Sequence, residues 1–354
     1  MKRNKKKVTI ILVSTIILII LALLLLFKDK LFTKDNVNNN SNNTINKPVE
    51  KPKVKIVDLD SNSRPYAVMI NNLNEARLVQ SGLSEAYLVY EIIVEGGITR
   101  YLALFKDANI ERIGSIRSSR HYYLDYVLEN DAIYVHWGWS PQAKEDIKTL
   151  KINNINGLTY EGKYFYRENP ISPTRIASEH TGFTNIELLN KAVDKLGYRK
   201  ETNKGLLLNY SPTSIDLTAF SSVQDANSVK IVYSNYITNT YKYDVENKVY
   251  KRYVNNYEQI DKNTEQNLTV KNIIVYSINN YTIAGDKKGR QFLDNIGSGE
   301  GYYITEGKII KINWEKESRE KQTKYTYEDG TELIVNDGNT FIQIIPKNGN
   351  ISWE

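Results

Sequence analysis

The stretch Glu91–Gly138, EIIVEGGITRYLALFKDANIERIGSIRSSRHYYLDYVLENDAIYVHWG, decides how the rest of the chain is read. LVYEIIV and ITRYLALF are β-branched and aromatic runs on either side of Gly96-Gly97, which predicts a β-hairpin. Core strands do not normally carry Glu91, Glu95 and Arg100, because an unpaired buried charge is expensive. With Gly96 and Gly97 as a two-residue loop, Glu95 would pair with Ile98, Ile93 with Arg100 and Glu91 with Leu102. Arg100 would then lie diagonally between the two glutamates. Such a cluster is either a structural ion-pair group or the floor of a polar pocket. Glu91 and Glu95 on one strand would stand about 13 Å apart, too far for the paired carboxylates of a glycosidase at about 5–9.5 Å. Each is a candidate acid or base only on its own.

Downstream, GSIRSSR reads as a strand end followed by a helix start capped by Ser118 or Ser119. Arg117 and Arg120 beside free backbone N–H groups would make a site for a phosphate or carboxylate. The alternative is that both arginines pair with carboxylates inside the fold. His136 in HWGW is either a packed core residue or the rim of an aromatic pocket, where it would be a candidate acid or base, and Trp137 and Trp139 are either core or a stacking platform for a sugar ring. His180 is a further base by residue type alone. The candidate residues are therefore Glu91, Glu95 and His136 for catalysis, and Arg100, Arg117, Ser118, Arg120, Trp137 and Trp139 for ligand binding. No histidine spacing or cysteine suggests a metal, and no motif suggests a cofactor. The Gly297–Gly301 run, GSGEG, precedes a strand and reads as a tight turn, not a phosphate loop.

On both sides of this stretch the pattern alternates helix and strand. YAVMINN and AIYVHWG are strands, while SPQAKEDIKTL and TNIELLNKAVDKLGY are helices, the second ending at Gly197. From about Ser228 the runs are strand-like, punctuated by Glu306-Gly307, Asp329-Gly330 and Asp337-Gly338 as hairpin cues. The class is α+β: an N-terminal mixed α/β domain over 64–205, a linker over 206–227, and a mostly antiparallel β domain over 228–347.

The N-terminus reads differently. Residues 1–7 form a basic leader, and 8–27 carry no charge and are long enough for a single transmembrane helix, a signal anchor with a cytoplasmic N-terminus. Residues 28–63 are an Asn/Lys/Pro-rich tether. The 354 residues contain no cysteine, which rules out disulfides, thiol nucleophiles and a lipidated cysteine anchor. The net charge of +6 is dispersed, so nucleic acid is not an expected partner.

RPYAVMINN, SGLSEAYLVYEIIVEGGITRYLALF, IGSIRSSRHYYLDYVLENDAIYVHWGWSPQA and the later IGSGEGYYITEGKIIKINW resemble the YerB-like family. The likeness extends from Arg64 to Pro346. The family consists of bacterial envelope proteins, lipoproteins among them, with an N-terminal and a C-terminal domain of unknown function. The resemblance implies two domains and an extracytoplasmic place, and it brings no reaction or catalytic residue with it. Members anchored as lipoproteins carry a lipobox cysteine, which is absent here. SIRSSR also resembles the arginine-bearing core of the LytR–CpsA–Psr phosphotransferases, although the spacing departs from their pattern and the expected aspartates are not evident. The expectation is a membrane-tethered envelope protein binding an anionic cell-wall or lipid-linked ligand. The alternatives are a glycopolymer phosphotransferase, a peptidoglycan hydrolase, or a scaffold that docks a protein partner.

Overall fold

The computed structural model describes residues 52–168 and 176–354. The leader, the expected membrane helix over 8–27 and most of the tether lie outside the described residues. Among the described residues, no helix is long and apolar enough to cross a membrane.

Nine strands carry the main sheet: β1 (Tyr66–Asn71), β2 (Leu88–Ile93), β3 (Thr99–Phe105), β4 (Ile133–His136), β5 (Asn154–Asn156), β6 (Asn272–Ile278), β7 (Gly297–Thr305), β8 (Lys308–Lys316) and β9 (Thr340–Pro346). With two short additions they form an 11-stranded sheet in which β6 and β7–β8 lie on one side and β1, β3, β4 and β5 on the other. The junction is β2 against β9, paired in parallel from Leu88 opposite Thr340 to Ile92 opposite Ile344. All residues of β1, β2, β3 and β9 are buried, as expected of strands covered on both faces. The two sequence segments thus share one sheet and one core.

Most of the C-terminal segment is antiparallel. Ser228–Val232, Thr238–Asp244 and Val249–Val254 form successive antiparallel pairs, and Asn350–Trp353 adds to the first. The helices of the N-terminal segment are short. Pro141–Thr149 is capped by Ser140, whose hydroxyl accepts from Ala143 N, and Ile186–Leu196 is capped by Asn185 and closed by Gly197 at φ 66°. The fold is mixed α/β, with mostly strands and few helices.

Several local expectations need correcting. The β2–β3 loop is Glu95-Gly96-Gly97, closed by Val94 N donating to Ile98 O at 2.7 Å. One extra loop residue shifts the register by one, so Glu91 pairs with Tyr101 and Arg100 with Ile92. Because side chains alternate along a strand, Glu91 and Arg100 occupy opposite faces of the hairpin. The serines of SIRSSR cap no helix. A short turn at His121–Tyr123 leads into Leu124–Glu129 without a side-chain cap. The run Gly297–Gly301 is the first half of β7 and not a turn. At Gly301 a Cβ would stand 2.6 Å from Val275 O, so glycine allows the close approach of β6. Glu306-Gly307 does form a tight hairpin, with both residues at positive φ. Asp337-Gly338 does not. The chain there passes between sheets, and the Asp337 carboxylate accepts from Lys55 N and Ile56 N.

Residues assigned to the tether and linker take part in the fold. Val57 is buried, and Lys106 Nζ donates to Ser61 O and Ser63 O. Asn209–Ser211 pairs in parallel with Ile334–Asn336.

Candidate functional site

The two faces of the β2–β3 hairpin give its charged residues different surroundings. Glu91 is fully buried and points toward the antiparallel sheet. Its Oε2 lies 2.7 Å from Arg252 Nη2, on a strand 161 residues away in sequence. Thr99 Oγ1 donates to Glu91 Oε1 at 2.7 Å, and Asn239 Nδ2 donates to Oε2 at 2.9 Å. Arg252 also donates to Gln259 and Tyr241, and both Tyr101 and Tyr241 rings flank its guanidinium. Burial opposes the charge on Arg252, but the Glu91 carboxylate and the tyrosine oxygens outweigh it and raise its pKa. Both Glu91 oxygens and the Arg252 nitrogens have partners, and Glu91 is sealed from solvent. The same logic recurs where Glu129 Oε2 meets Lys316 Nζ at 2.7 Å, with Thr323 donating through both its N–H and its hydroxyl. Both pairs join the N-terminal segment to the C-terminal one.

On the other face lies an arginine cluster. Arg120 grips Glu95 in a two-pronged contact, Nε to Oε1 at 2.5 Å and Nη2 to Oε2 at 3.1 Å. Arg100 Nη2 is 3.9 Å from Glu95 Oε2, and its Nη1 donates to Ser118 O. Arg117 makes no carboxylate contact within ion-pair distance among the described residues. Its Nη1 donates to Glu179 O at 3.2 Å. Burial pushes the Glu95 carboxyl up, but the Arg120 hydrogen bonds and the Arg120 and Arg100 charges prevail and hold it below its ordinary value. Burial, reinforced by the neighbouring Arg120 charge, pushes Arg100 down to about 10 despite Glu95. Two of the backbone N–H groups expected to bind an anion are occupied: Arg117 N donates to Met69 O and Ser119 N to Gly138 O.

The remaining candidates pack inward. His136 is fully buried, stacked on Tyr134, with Nδ1 at 2.8 Å from Gly138 O and Nε2 at 3.1 Å from Asn154 Oδ1. Burial pushes it down to about 4 in spite of these contacts, so it is a neutral core residue. Trp137 is buried between Gly157 and Gly182, where an added Cβ would run into its indole, and it meets Phe165 edge-on. Trp139 is half-buried against His136, with Lys144 Nζ 5.6 Å from its ring. The pair makes no shared platform. Ser118 Oγ donates to Trp137 O. His180 Nδ1 sits 2.8 Å from Asn71 Nδ2, and burial together with the Arg117 charge lowers its pKa. Among the described residues, no group of three or more histidine, aspartate or glutamate side chains is placed to hold a metal.

The sequence reading passed over a cleft of about 430 Å³ immediately beyond Arg120. His121 and Asp125 form one wall, β7 and the hairpin Asn280–Thr282/Gln291–Leu293 the other, with Trp314 and Arg319 between them. Arg319 Nε lies 2.6 Å from Asp125 Oδ1, and its Nη2 lies 3.0 Å from Asp146 Oδ2. Asn295 Nδ2 donates to Asp125 Oδ2 and to Tyr122 O. The only hint in the sequence was HYYLDY itself, since Arg319 and Asn295 come from distant segments.

The geometry describes a mixed α/β protein of two sequence segments fused through one sheet, with buried ion pairs across the join and an arginine cluster on one rim. The described N-terminal family, Protein of unknown function (DUF3048) N-terminal domain, matches residues 54–199, and its C-terminal counterpart matches 229–342. The chain is 32% identical over 289 residues to "Putative lipoprotein YerB" of Bacillus subtilis (strain 168), covering 80% of this chain and 81% of that protein. The crystal structure of YerB protein from Bacillus subtilis is similar with a TM-score of 0.69 at 29% identity, covering 82% of this chain and 94% of that one. The chain belongs to the YerB-like family, which joins these N- and C-terminal domains of unknown function.

Proposed function

We propose that this is a membrane-tethered, extracytoplasmic envelope protein that binds an anionic cell-envelope ligand through Arg117, Arg120 and Arg100. The observation that carries the reading is the charge imbalance on the hairpin rim, where Arg100 and Arg120 flank the Glu95 carboxylate and Arg117, whose main charged neighbour is Glu179, makes no ion pair within 4 Å among the described residues. Arg117 is half-buried and held by a backbone carbonyl, so its charge is available to a phosphate or carboxylate. Glu95 fixes the Arg120 fork and so acts as a positioning residue. The described lipoprotein relative supports an envelope location. With no cysteine in the chain to carry lipid, residues 8–27 supply the anchor. A binding role is favoured over catalysis because Glu91 and His136, two of the three acid–base candidates, are buried and fully partnered.

The test is binding of the compact unit Pro52–Glu354 to wall teichoic acid, peptidoglycan and polyprenyl-phosphate micelles, at low and moderate salt. Wild type is compared with Arg117→Ala. Selective, salt-sensitive binding that weakens about tenfold in the variant supports the site, as one charge-assisted contact would. Equal binding by both proteins, or by neither, overturns it.

A further inference from the structure

The cleft beyond Arg120 adjoins a second one of about 560 Å³, with Asn279 and Lys347 lining both. Both volumes fall in the range of about 300–1,000 Å³ typical of small-ligand sites. The hairpin Asn280–Thr282/Gln291–Leu293 separates them, and its cross-strand pair Tyr281–Phe292 stacks with ring centroids 5.2 Å apart. Phe292 and Trp314 therefore serve the first cleft, while the exposed Tyr281 and Tyr236 serve the second.

Three features narrow the class of ligand. First, Phe292 and Trp314, stacked on Tyr281 and Tyr276, line the groove beside apolar Ile278, Leu293 and Ile296 and polar Asp125, Asn295 and Arg319, a mixture that suits a molecule with flat C–H faces and hydroxyl edges. Second, the polar wall is pre-organised: Asp125, Asp146, Asn295 and Arg319 hold one another by hydrogen bonds, and Tyr126 donates to Asn295 Oδ1. Planar amide, carboxylate and guanidinium groups fixed this way pair with vicinal hydroxyls without ordering cost on binding. Third, a ring nitrogen in this wall, His121 Nε2, lacks a partner among the described residues, on a side chain more than nine-tenths buried. Buried polar atoms of that kind are normally satisfied. Asp125 and Asp146 share the single charge of Arg319, and with Asp294 and Lys347 the lining carries three carboxylates against two cations. A phosphate-rich ligand is accordingly a poor match, and an alkyl chain would strand the polar wall.

We propose that this double cleft binds a pyranose oligosaccharide, with one ring against Phe292 and Trp314 and the chain continuing past Tyr281. The site is separate from the arginine cluster and stands whether or not that cluster binds an anion.

The experiment uses saturation-transfer NMR and tryptophan fluorescence on Pro52–Glu354 with cellotetraose, N-acetylglucosamine tetrasaccharide and muramidase-released peptidoglycan glycan fragments. At least one of these saccharides should bind saturably. Phe292→Ala and Tyr281→Ala should each weaken that binding about tenfold, as expected for loss of one aromatic contact. Tyr281 is largely exposed, so its removal leaves the core intact, and the unfolding midpoint of each variant serves as the control. Arg117→Ala should leave saccharide binding unchanged, which keeps this site distinguishable from the anion site. Absence of saturable binding by all three saccharides up to about 10 mM, well beyond millimolar affinity, overturns the proposal. So does binding that both aromatic substitutions leave intact.

Discussion

Glu91 and Glu95 lie four residues apart on one hairpin, and each meets an arginine, but the two faces treat them in opposite ways. On the Glu91 face the charge is fully enclosed, and its arginine comes from the C-terminal segment. On the Glu95 face the partners come from the same segment, both side chains retain some exposure, and positive charge is in excess. A sealed pair with every hydrogen bond made holds a fold in register. An open cluster with charge left over can hold a ligand. The difference depends on the three-residue loop Glu95–Gly97, because a two-residue loop would have placed Arg100 on the face that Glu91 occupies.

The sharpest test of the sealed face is Arg252→Met. Removing the guanidinium leaves the Glu91 carboxylate buried without a counter-charge, and such losses cost about 3–5 kcal/mol. Urea unfolding of Pro52–Glu354 should report that loss. Adding Glu91→Gln should restore much of it, since the amide oxygen still accepts from Thr99 and no charge remains to be stranded. A loss below about 1 kcal/mol in the single variant, well under the figure for a broken buried pair, would show that the face is not sealed in solution.

A smaller effect is expected at Trp137, which the sequence left open between core and sugar platform. Gly157→Ala would push a methyl into the indole, and overpacking of this kind costs about 1–3 kcal/mol. Thermal unfolding measures it. A neutral result would mean that Trp137 can swing out, reopening the platform reading.

Glu95 gives a pH-dependent effect of about 1 kcal/mol, in the range of a pair near the surface. Its folded-state pKa is lowered, so ionised Glu95 contributes stability above its ordinary value near 4.5, and that contribution disappears as pH falls through the folded value. Wild type should therefore exceed Glu95→Gln at pH 7 and converge with it in acid. Parallel pH curves for the two proteins would mean that Arg120 does not hold Glu95 in solution.

Much of this architecture was legible in the sequence, and the failures have physical causes. The buried strands YAVMIN and TRYLALF and the capped helix Ile186–Leu196 follow from composition and period, which are local properties. The hairpin was correctly placed but slipped by one residue, because a Gly-Gly pair does not reveal whether Glu95 belongs to the strand or the loop. The joining of two sequence segments through β2 and β9 is a long-range parallel pairing, and no local signal encodes it. The same holds for Glu91, whose partner Arg252 sits in a run, YKRYV, that reads as an ordinary amphipathic strand. Arginine and tyrosine types were visible, whereas their convergence was not. The second cleft wall escaped notice for this reason, as Asn295 and Arg319 acquire meaning only beside Asp125.

The smallest expected change in stability belongs to Arg117, and that makes it the best probe of the open face. It is half-buried, accepts no structural ion pair within 4 Å among the described residues, and spends one nitrogen on the Glu179 carbonyl. Arg117→Ala should therefore alter unfolding free energy by no more than about 0.5 kcal/mol, as a surface substitution does, while binding of an anionic polymer falls. Arg120→Ala removes the same charge but also strands Glu95, so it should lower stability as well as binding. If Arg117→Ala destabilises the protein as much as Arg120→Ala, the open face is a second structural cluster, and the two sides of the hairpin differ only in depth. If stability holds and binding falls, the hairpin carries structure on one side and recognition on the other.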